Sequence, residues 1–367
     1  MNIIVTGCAG FIGSHLLERL LAQPDVRVTG WDLDDRRIIP LLDHPRLTFR
    51  QASYTEPAAL AWLEQDVAQA DWLVHLGAVC QPARYNTEPL LTIHANFLDS
   101  VPIVEMASRH GVPLLFTSTS EVYGRTLGSY APAGQVLAPH QTLLDAATTP
   151  MLLGPIQHQR WTYACAKQLT ERLIYAHHHD RGLPFAIVRP FNFFGPRMDY
   201  LPGLEGEGTP RVLPMFVSAV LRGEPMQLVD GGHARRTITS IHDAIDALMA
   251  IIERPQAFLN HFYNIGNPAN EVSMRELAEQ LRLAFARMTG EARFLDHPIE
   301  EVSGGAFYGP GYEDCDRRIM DITQEQARLA WFPQHSLQAL LDEVVDYYWA
   351  RFGDSSRRAA TEDVRAL

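Results

Sequence analysis

Ile3-Ile4-Val5-Thr6-Gly7-Cys8-Ala9-Gly10-Phe11-Ile12-Gly13 begins with a short apolar, β-branched run, passes through a glycine-bearing turn and enters a helix. The helical reading rests on Ile12, Leu16, Leu17, Leu20 and Leu21, spaced to line one face from Phe11 to about Ala22. Strand, glycines and helix in that order make a phosphate cradle. Small residues let backbone amides approach a pyrophosphate, and the helix N-terminus offers unpaired N–H groups and a favourable dipole. The spacing is GxxGxxG, so Gly7, Gly10, Phe11, Ile12 and Gly13 are the expected contact positions.

Working outward, further β-rich runs follow at Val26–Asp32, Leu47–Phe49, Trp72–Leu76, Pro113–Thr117 and Phe185–Arg189, with helical sequence between them. That alternation implies right-handed crossovers and a parallel sheet covered on both faces, a Rossmann-like doubly wound α/β fold. Beyond Pro190 the pattern changes. Pro202–Pro210 is rich in glycine and proline and reads as a loop, and Ser273-Met274-Arg275-Glu276 is a capping box ahead of Leu277, Leu281 and Leu283. The expected organisation is a dinucleotide-binding domain over 1–190 plus about 234–262. A smaller C-terminal α/β substrate-binding region takes 191–233 plus about 263–353, and a frayed tail begins at about Asp354.

The 367 residues carry 43 acidic against 31 basic side chains, a formal net charge of −12. This argues against nucleic acid or an anionic membrane as partner, since both require clustered cations. An anionic substrate would need a few local ones. No run reaches the ~18 apolar residues of a membrane span, and Met1-Asn2-Ile3-Ile4-Val5 lacks the flank of a signal peptide. Cys8, Cys80, Cys165 and Cys315 show no paired spacing, so neither a metal site nor a disulfide framework is expected, and a reducing cytoplasm fits. His177-His178-His179 falls near a helix end, where the dipole favours cations, and needs no metal.

Asp32 ends the second expected strand. A carboxylate there accepts hydrogen bonds from a ribose 2′-hydroxyl and repels a 2′-phosphate, favouring NAD, although Arg36 and Arg37 lie near enough to keep NADP open. Tyr163-Ala-Cys-Ala-Lys167 places a phenol and an ammonium one helical turn apart on one face. The lysine charge would stabilise phenolate and lower its pKa, giving a base near neutrality. Ser118-Thr119-Ser120-Glu121-Val122-Tyr123-Gly124 follows the fifth strand, at the carboxyl end where open α/β sheets bind ligands.

Together with Leu76-Gly77-Ala78, Asn96, Arg189-Pro190-Phe191-Asn192, Gly195-Pro196-Arg197 and Tyr263-Asn264-Ile265-Gly266-Asn267, these motifs resemble the extended short-chain dehydrogenase/reductase family, which modifies nucleotide sugars. The resemblance covers nearly the whole chain. It adds Leu76, Ala78, Asn96, Tyr163 and Lys167 to the expected NAD site, and implies a homodimer. Within the family, Gln159–Tyr163, Gly195–Asp199, Leu228–Gly232 and Tyr308–Asp314 look like the branch containing UDP-glucuronate decarboxylases and UDP-apiose/UDP-xylose synthases.

That likeness implies oxidation at C4 of a UDP-hexuronate with Tyr163 as base, then loss of carbon dioxide from the resulting β-keto acid. UDP-4-ketopentose, UDP-xylose or, after ring contraction, UDP-apiose would be the product. Thr119 or Ser120 would hydrogen-bond the reacting oxygen, and Glu121 and Arg318 would face the carboxylate. Arg211 and Arg236 would hold the diphosphate beside Asn192, and Tyr312 would stack on the base. Tyr85, Arg160 and Asp314 complete the expected substrate contacts. A nucleotide-sugar 4-epimerase or 4,6-dehydratase is the nearest rival reading, and a non-catalytic NAD-binding scaffold the remote one.

Overall fold

The computed structural model describes residues 1–131, 135–308, 315 and 317–365, with 354–365 as backbone only. Its large sheet contains β1 (Asn2–Thr6), β2 (Arg27–Asp32), β3 (Leu47–Gln51), β4 (Trp72–His75), β5 (Leu114–Thr117), β6 (Phe185–Pro190) and β7 (His261–Ile265). They lie in the order β7-β6-β5-β4-β1-β2-β3, every pair parallel. The first six match the sequence expectation to within a residue or two at each end. The seventh was not anticipated as a strand, and it carries the dinucleotide-binding unit past the expected boundary near residue 262. Its residues (HFYNI) include a histidine and an asparagine and lack the apolar run that marks a buried strand.

Side chains alternate across the sheet as strand geometry demands. Ile3 and Val5 pack with Leu16, Leu17 and Leu20 of α1 (Phe11–Ala22) and with Ile245 and Leu248 of α8 (Ile241–Glu253). Ile4 and Leu73 face the other way, onto Leu63 of α2 (Pro57–Val67), Ile103 of α5 (Val101–His110) and Ile174 of α6 (Thr162–Arg181). Two short helices, α3 (Pro82–Thr87) and α4 (Pro89–Asn96), lie between β4 and α5, and α7 (Val212–Arg222) belongs to the second region. The doubly wound expectation holds.

The second region is interleaved with the first. Leu143–Leu144, from well before β6, pairs with Arg317–Met320, which pairs with Arg235–Thr237 and through it with Glu271–Ser273. Parallel register sets Arg236 beside Arg318 and Arg235 beside Arg317. The capping box forms as read: the Ser273 hydroxyl accepts from Glu276 N at 3.1 Å, and Ser273 N donates to the Glu276 carboxylate at 2.7 Å. In the helix it opens, Met274–Thr289, Leu277 and Leu281 are buried, but Leu283 is exposed and Phe285 takes the core position instead. The last helix spans Leu337–Arg365, so the backbone expected to fray from Asp354 continues helical. Among the described residues no helix is long and apolar enough to cross a membrane.

Glu325, buried in the helix Thr323–Leu329, accepts from Asn264 N at 2.8 Å on β7. Burial pushes its carboxyl up to about 7. Its folded pKa therefore lies above the unfolded one, so its contribution to stability is complete below the ordinary carboxylate pKa and is lost as pH rises through about 7. Glu325→Gln, neutral throughout, should be more stable than wild type by ~1–3 kcal/mol at pH 8, with the difference closing near pH 5 in urea melts.

Candidate active site

The glycine turn is tight because three pieces of backbone meet there. Gly7 adopts φ +72°, and a Cβ on it would stand 2.7 Å from Gly77 N at the end of β4. A Cβ on Gly13 would overlap the Gly7 carbonyl oxygen. Neither position accepts a side chain, and the helix that follows is capped by Gly10 without a side-chain hydrogen bond. Its first N–H groups are thus kept for a ligand. At the end of β2, Asp32 Oδ2 accepts from Ala9 N at 2.8 Å and Oδ1 from Leu33 N at 2.7 Å and Asp34 N at 3.4 Å, which leaves a lone pair on Oδ2 for a ribose hydroxyl. Burial raises its pKa from the ordinary carboxylate value.

Of the two nearby arginines, Arg36 pairs with Asp34 at 2.5 Å and Arg37 donates to the Arg197 carbonyl at 3.0 Å. Both are committed away from Asp32, so the cradle fits NAD. Leu76 and Ala78 line the rim beyond β4, half-buried. Asn96 is fully buried and donates to Val79 O and Thr92 O, both at 2.9 Å. It holds the loop after β4 in place.

Tyr163 and Lys167 occupy one face of α6, both buried. Lys167 Nζ donates to Thr117 O at 3.0 Å and lies 4.6 Å from the centre of the Phe116 ring. Burial lowers its pKa to about 8. The Tyr163 hydroxyl is hydrogen-bonded to Thr119, while its ring stacks on Tyr85 at 4.7 Å and 7°. The expectation that Lys167 would lower the phenol pKa is not met in the chain alone. Burial holds it well above the ordinary phenol range, ahead of the Thr119 hydrogen bond that opposes it. Thr119 also accepts from Glu121 N at 3.2 Å, and Ser120 is buried in the same turn.

A cavity of about 630 Å³ opens beside the Thr119–Glu121 turn, lined by Glu121, Arg160, Asn192, Arg211, Arg236 and Arg318 among others. Its size suits a nucleotide-sized ligand. Arg160 donates to both Glu121 oxygens, at 2.6 and 3.1 Å, and lies 5.8 Å from the centre of the Tyr85 ring. Arg211 clasps Asp199 at 3.0 and 2.9 Å and lies 5.7 Å from the Phe11 ring, joining the cofactor turn to the cavity. Arg236 is anchored by a 2.8 Å bond to Arg235 O and stands beside the buried Arg318. Asn192 sits at φ +44°, a left-handed conformation asparagine tolerates, and donates to Thr237 O at 2.9 Å. That bond fixes where the chain leaves the sheet.

Of the expected substrate residues, the structure places Glu121, Arg160, Asn192, Arg211, Arg236 and Arg318 on one cavity, and Tyr85 stacks on Tyr163 beside it. Tyr312 and Asp314 lie outside the described residues. Two participants were not read from the sequence. Asp199 was quoted only as part of a motif, yet it neutralises Arg211. Cys80, read only for pairing, lies within electrostatic reach of Tyr163, Lys167, Arg211 and Glu121. Its position two residues after Ala78, on the loop beyond β4, was the available signal.

With fold and cradle described, the comparisons define the class. The NAD dependent epimerase/dehydratase family matches residues 3–266, and the chain belongs to that family. UDP-D-apiose/UDP-D-xylose synthase 1 of Arabidopsis thaliana is 42% identical over 374 residues, covering 99% of this chain and 95% of that one. The Oryza sativa subsp. japonica UDP-D-apiose/UDP-D-xylose synthase is 42% identical over 372 residues, covering 99% and 92%. Among solved structures, the PbgP3 protein from Burkholderia pseudomallei superposes with a TM-score of 0.81 at 33% identity, covering 97% and 98%. UDP-glucuronic acid 4-epimerase from Bacillus cereus, in complex with UDP-glucuronic acid and NAD, shares the fold at a TM-score of 0.73 and 22% identity, covering 96% and 100%. The chain is an NAD-dependent enzyme of this family.

Lys167 supplies a check on the site's electrostatics. A lysine whose folded pKa is depressed costs stability below about 8, and the cost is relieved as pH climbs toward its unfolded value. The stability of Lys167→Met relative to wild type should accordingly be greatest below pH 8 and decline toward pH 10 in denaturant melts, while turnover is lost throughout.

Proposed function

We propose that the chain decarboxylates UDP-glucuronate through a 4-keto intermediate, releasing UDP-4-ketopentose, UDP-xylose or both. The observation that carries this reading is the cavity beside the Thr119–Glu121 turn, where buried Arg318 and Arg236 stand together and Glu121 is already charge-paired. A hexuronate carboxylate meeting a bare Glu121 would be repelled. Arg160 neutralises that glutamate, and Arg236 and Arg318 place two further guanidinium groups on the same cavity wall.

NAD, when bound, supplies the hydride acceptor at C4. Tyr163 takes the proton of the 4′-hydroxyl, and Thr119, already hydrogen-bonded to it, steadies the oxygen that becomes the ketone. That ketone is β to the C5 carboxylate, so the C5–carboxyl bond breaks with its electrons delocalised onto the C4 oxygen. Thr119, Ser120 and Tyr163 are the groups that stabilise this enolate. Arg318 orients the carboxylate, Arg211 and Arg236 with Asn192 hold the diphosphate, and Tyr312 and Asp314 serve the nucleoside end.

The 42% identity to enzymes named UDP-apiose/UDP-xylose synthases supports a second outcome, in which the ketopentose also undergoes ring contraction to UDP-apiose. Incubation with UDP-glucuronate and NAD⁺ should give a product lighter by one carbon dioxide where NADH returns its hydride, assigned by sugar NMR as xylose or apiose, and one lighter by carbon dioxide and two hydrogens, with NADH formed, where the 4-ketopentose is released. Unchanged mass, or loss of water, rejects decarboxylation in favour of an epimerase or dehydratase. Tyr163→Phe should reduce turnover about 10³-fold with NAD affinity nearly intact, and full activity in that variant removes Tyr163 as the base.

We further propose a cytoplasmic homodimer. Its four cysteines are free. Leu90 of α4, Leu98 just beyond it, and Leu169 and Tyr175 of α6 expose 73%, 43%, 47% and 52% of their surfaces on adjoining elements. Such a patch suits a second copy. Sedimentation of Leu90→Glu/Leu169→Glu should show the mass halved relative to wild type. Unaltered mass places the interface elsewhere.

A further inference from the structure

Behind the site, a chain of buried polar groups joins the three elements that carry its chemistry. Tyr123 closes the turn that bears Thr119, Ser120 and Glu121, and is almost wholly buried. Its hydroxyl donates to Asn264 Oδ1 on β7 at 2.7 Å and accepts from Arg189 Nη1 on β6 at 2.8 Å. Arg189 in turn clasps Glu171 on α6 at 2.9 and 2.7 Å, a buried bidentate ion pair. Glu171 follows Lys167 by one helical turn, as Lys167 follows Tyr163. On the other side, Asn264 Nδ2 donates to Leu144 O at 2.7 Å, and Asp321 N donates to the same carbonyl at 3.0 Å. Leu143 and Leu144 pair with Ile319 and Met320, on the strand that presents Arg318. One phenol hydroxyl therefore stands between the dyad's helix, the Thr119–Glu121 turn and the Arg318 strand.

We propose that Tyr123 and Asn264 are positioning residues, whose side chains set the spacing between the Thr119–Glu121 turn and the Arg318 strand across the face of α6. Neither lines the cavity. The physical reason for such a link is that the two ends belong to different parts of the chain. The turn ends β5 in the large sheet, and the Arg318 strand belongs to the small one. Apolar packing between them would tolerate sliding, because it is non-directional. A buried hydrogen bond does not, because a displaced donor or acceptor is left unsatisfied away from water. The Arg189–Glu171 pair works the same way: with both charges out of water, the geometry that satisfies each guanidinium N–H is strongly preferred.

The proposal rests on the assignment of Glu121 and Arg318 to the substrate's carboxyl end, so its test includes a reading that needs no substrate. Tyr123→Phe keeps the ring and deletes the hydroxyl. Amide hydrogen exchange, followed by mass spectrometry with Val28 and Thr29 of β2 as the reference for global opening, reads both ends of the link. Exchange should rise about tenfold at Glu121–Gly124 and equally at Ile319–Asp321, with β2 unchanged. A rise confined to the turn, or no rise at either end, overturns the link whatever the substrate proves to be.

On UDP-glucuronate the same variant should lose about tenfold or more in kcat with KM near wild type, since it removes alignment and leaves every contact side chain in place. Arg318→Lys combined with Tyr123→Phe should cost less than the product of the two single losses, because both act on one alignment. Losses that multiply independently, or a kcat unchanged in Tyr123→Phe, reject the positioning role. A wild-type protein inactive on UDP-glucuronate instead rejects the substrate assignment, and the exchange result stands by itself.

Discussion

Burying charge is the constraint around which this protein is arranged. A chain of net charge −12 carries arginines deep in its interior, and a guanidinium out of water needs a counter-charge or a full set of acceptors. Three are met by bidentate carboxylates: Arg160 by Glu121, Arg211 by Asp199 and Arg189 by Glu171. Each pair joins segments distant in sequence. The acidic residues that make the surface unattractive to polyanions therefore have relatives inside that make a cationic cavity possible. Arg236 and Arg318 stand on the wall of the same cavity, set side by side by the register of two short parallel strands.

The same long-range pairing explains what could and could not be read from the sequence. The glycine turn, Asp32, the Tyr163–Lys167 spacing and the Ser273–Glu276 capping box were all legible, because each is a local pattern fixed by one turn or one strand end. Arg160 and Arg211 were legible as cations but not as half of an ion pair. Glu121 lies 39 residues from Arg160 in sequence, and nothing in either neighbourhood names the other. β7 escaped for a related reason: its Asn264 satisfies its polar atoms through Tyr123, Leu144 and Glu325, none of them near it in the chain. Leu283 failed in the opposite sense. It was apolar and near enough to the helical stripe to be taken for core, but the stripe turns through Ala284 and Phe285.

Sequence position also misled about domains. Leu143–Leu144 precedes the dyad, yet completes the small sheet that holds Arg318. The interleaving means that the second region is not a lid hinged on one linker. Its strands are tied back to the large sheet through Asn192, Asn264 and the Leu144 carbonyl, each by side-chain hydrogen bonds to backbone or by shared acceptors. Such a joint favours fixed geometry over domain rotation, which suits a reaction in which proton, hydride and carboxylate must be handled at neighbouring carbons of one ring.

The two shifts at the dyad, opposite in direction, have one cause. Burial disfavours charge, so it raises the Tyr163 phenol and lowers the Lys167 ammonium. A doubly protonated pair cannot accept a proton from a sugar hydroxyl, and the pair must first give one up. Tyr163 by itself would do so only at high pH. Lys167 does so near pH 8. Neither group figures among the charges that shift the other, so in the chain alone burial keeps a phenol that holds its proton beside an ammonium that sheds one near pH 8. The phenolate that the proposed chemistry requires is therefore favoured only by a positive charge brought beside Tyr163, which the pyridinium ring of NAD⁺ would supply when bound.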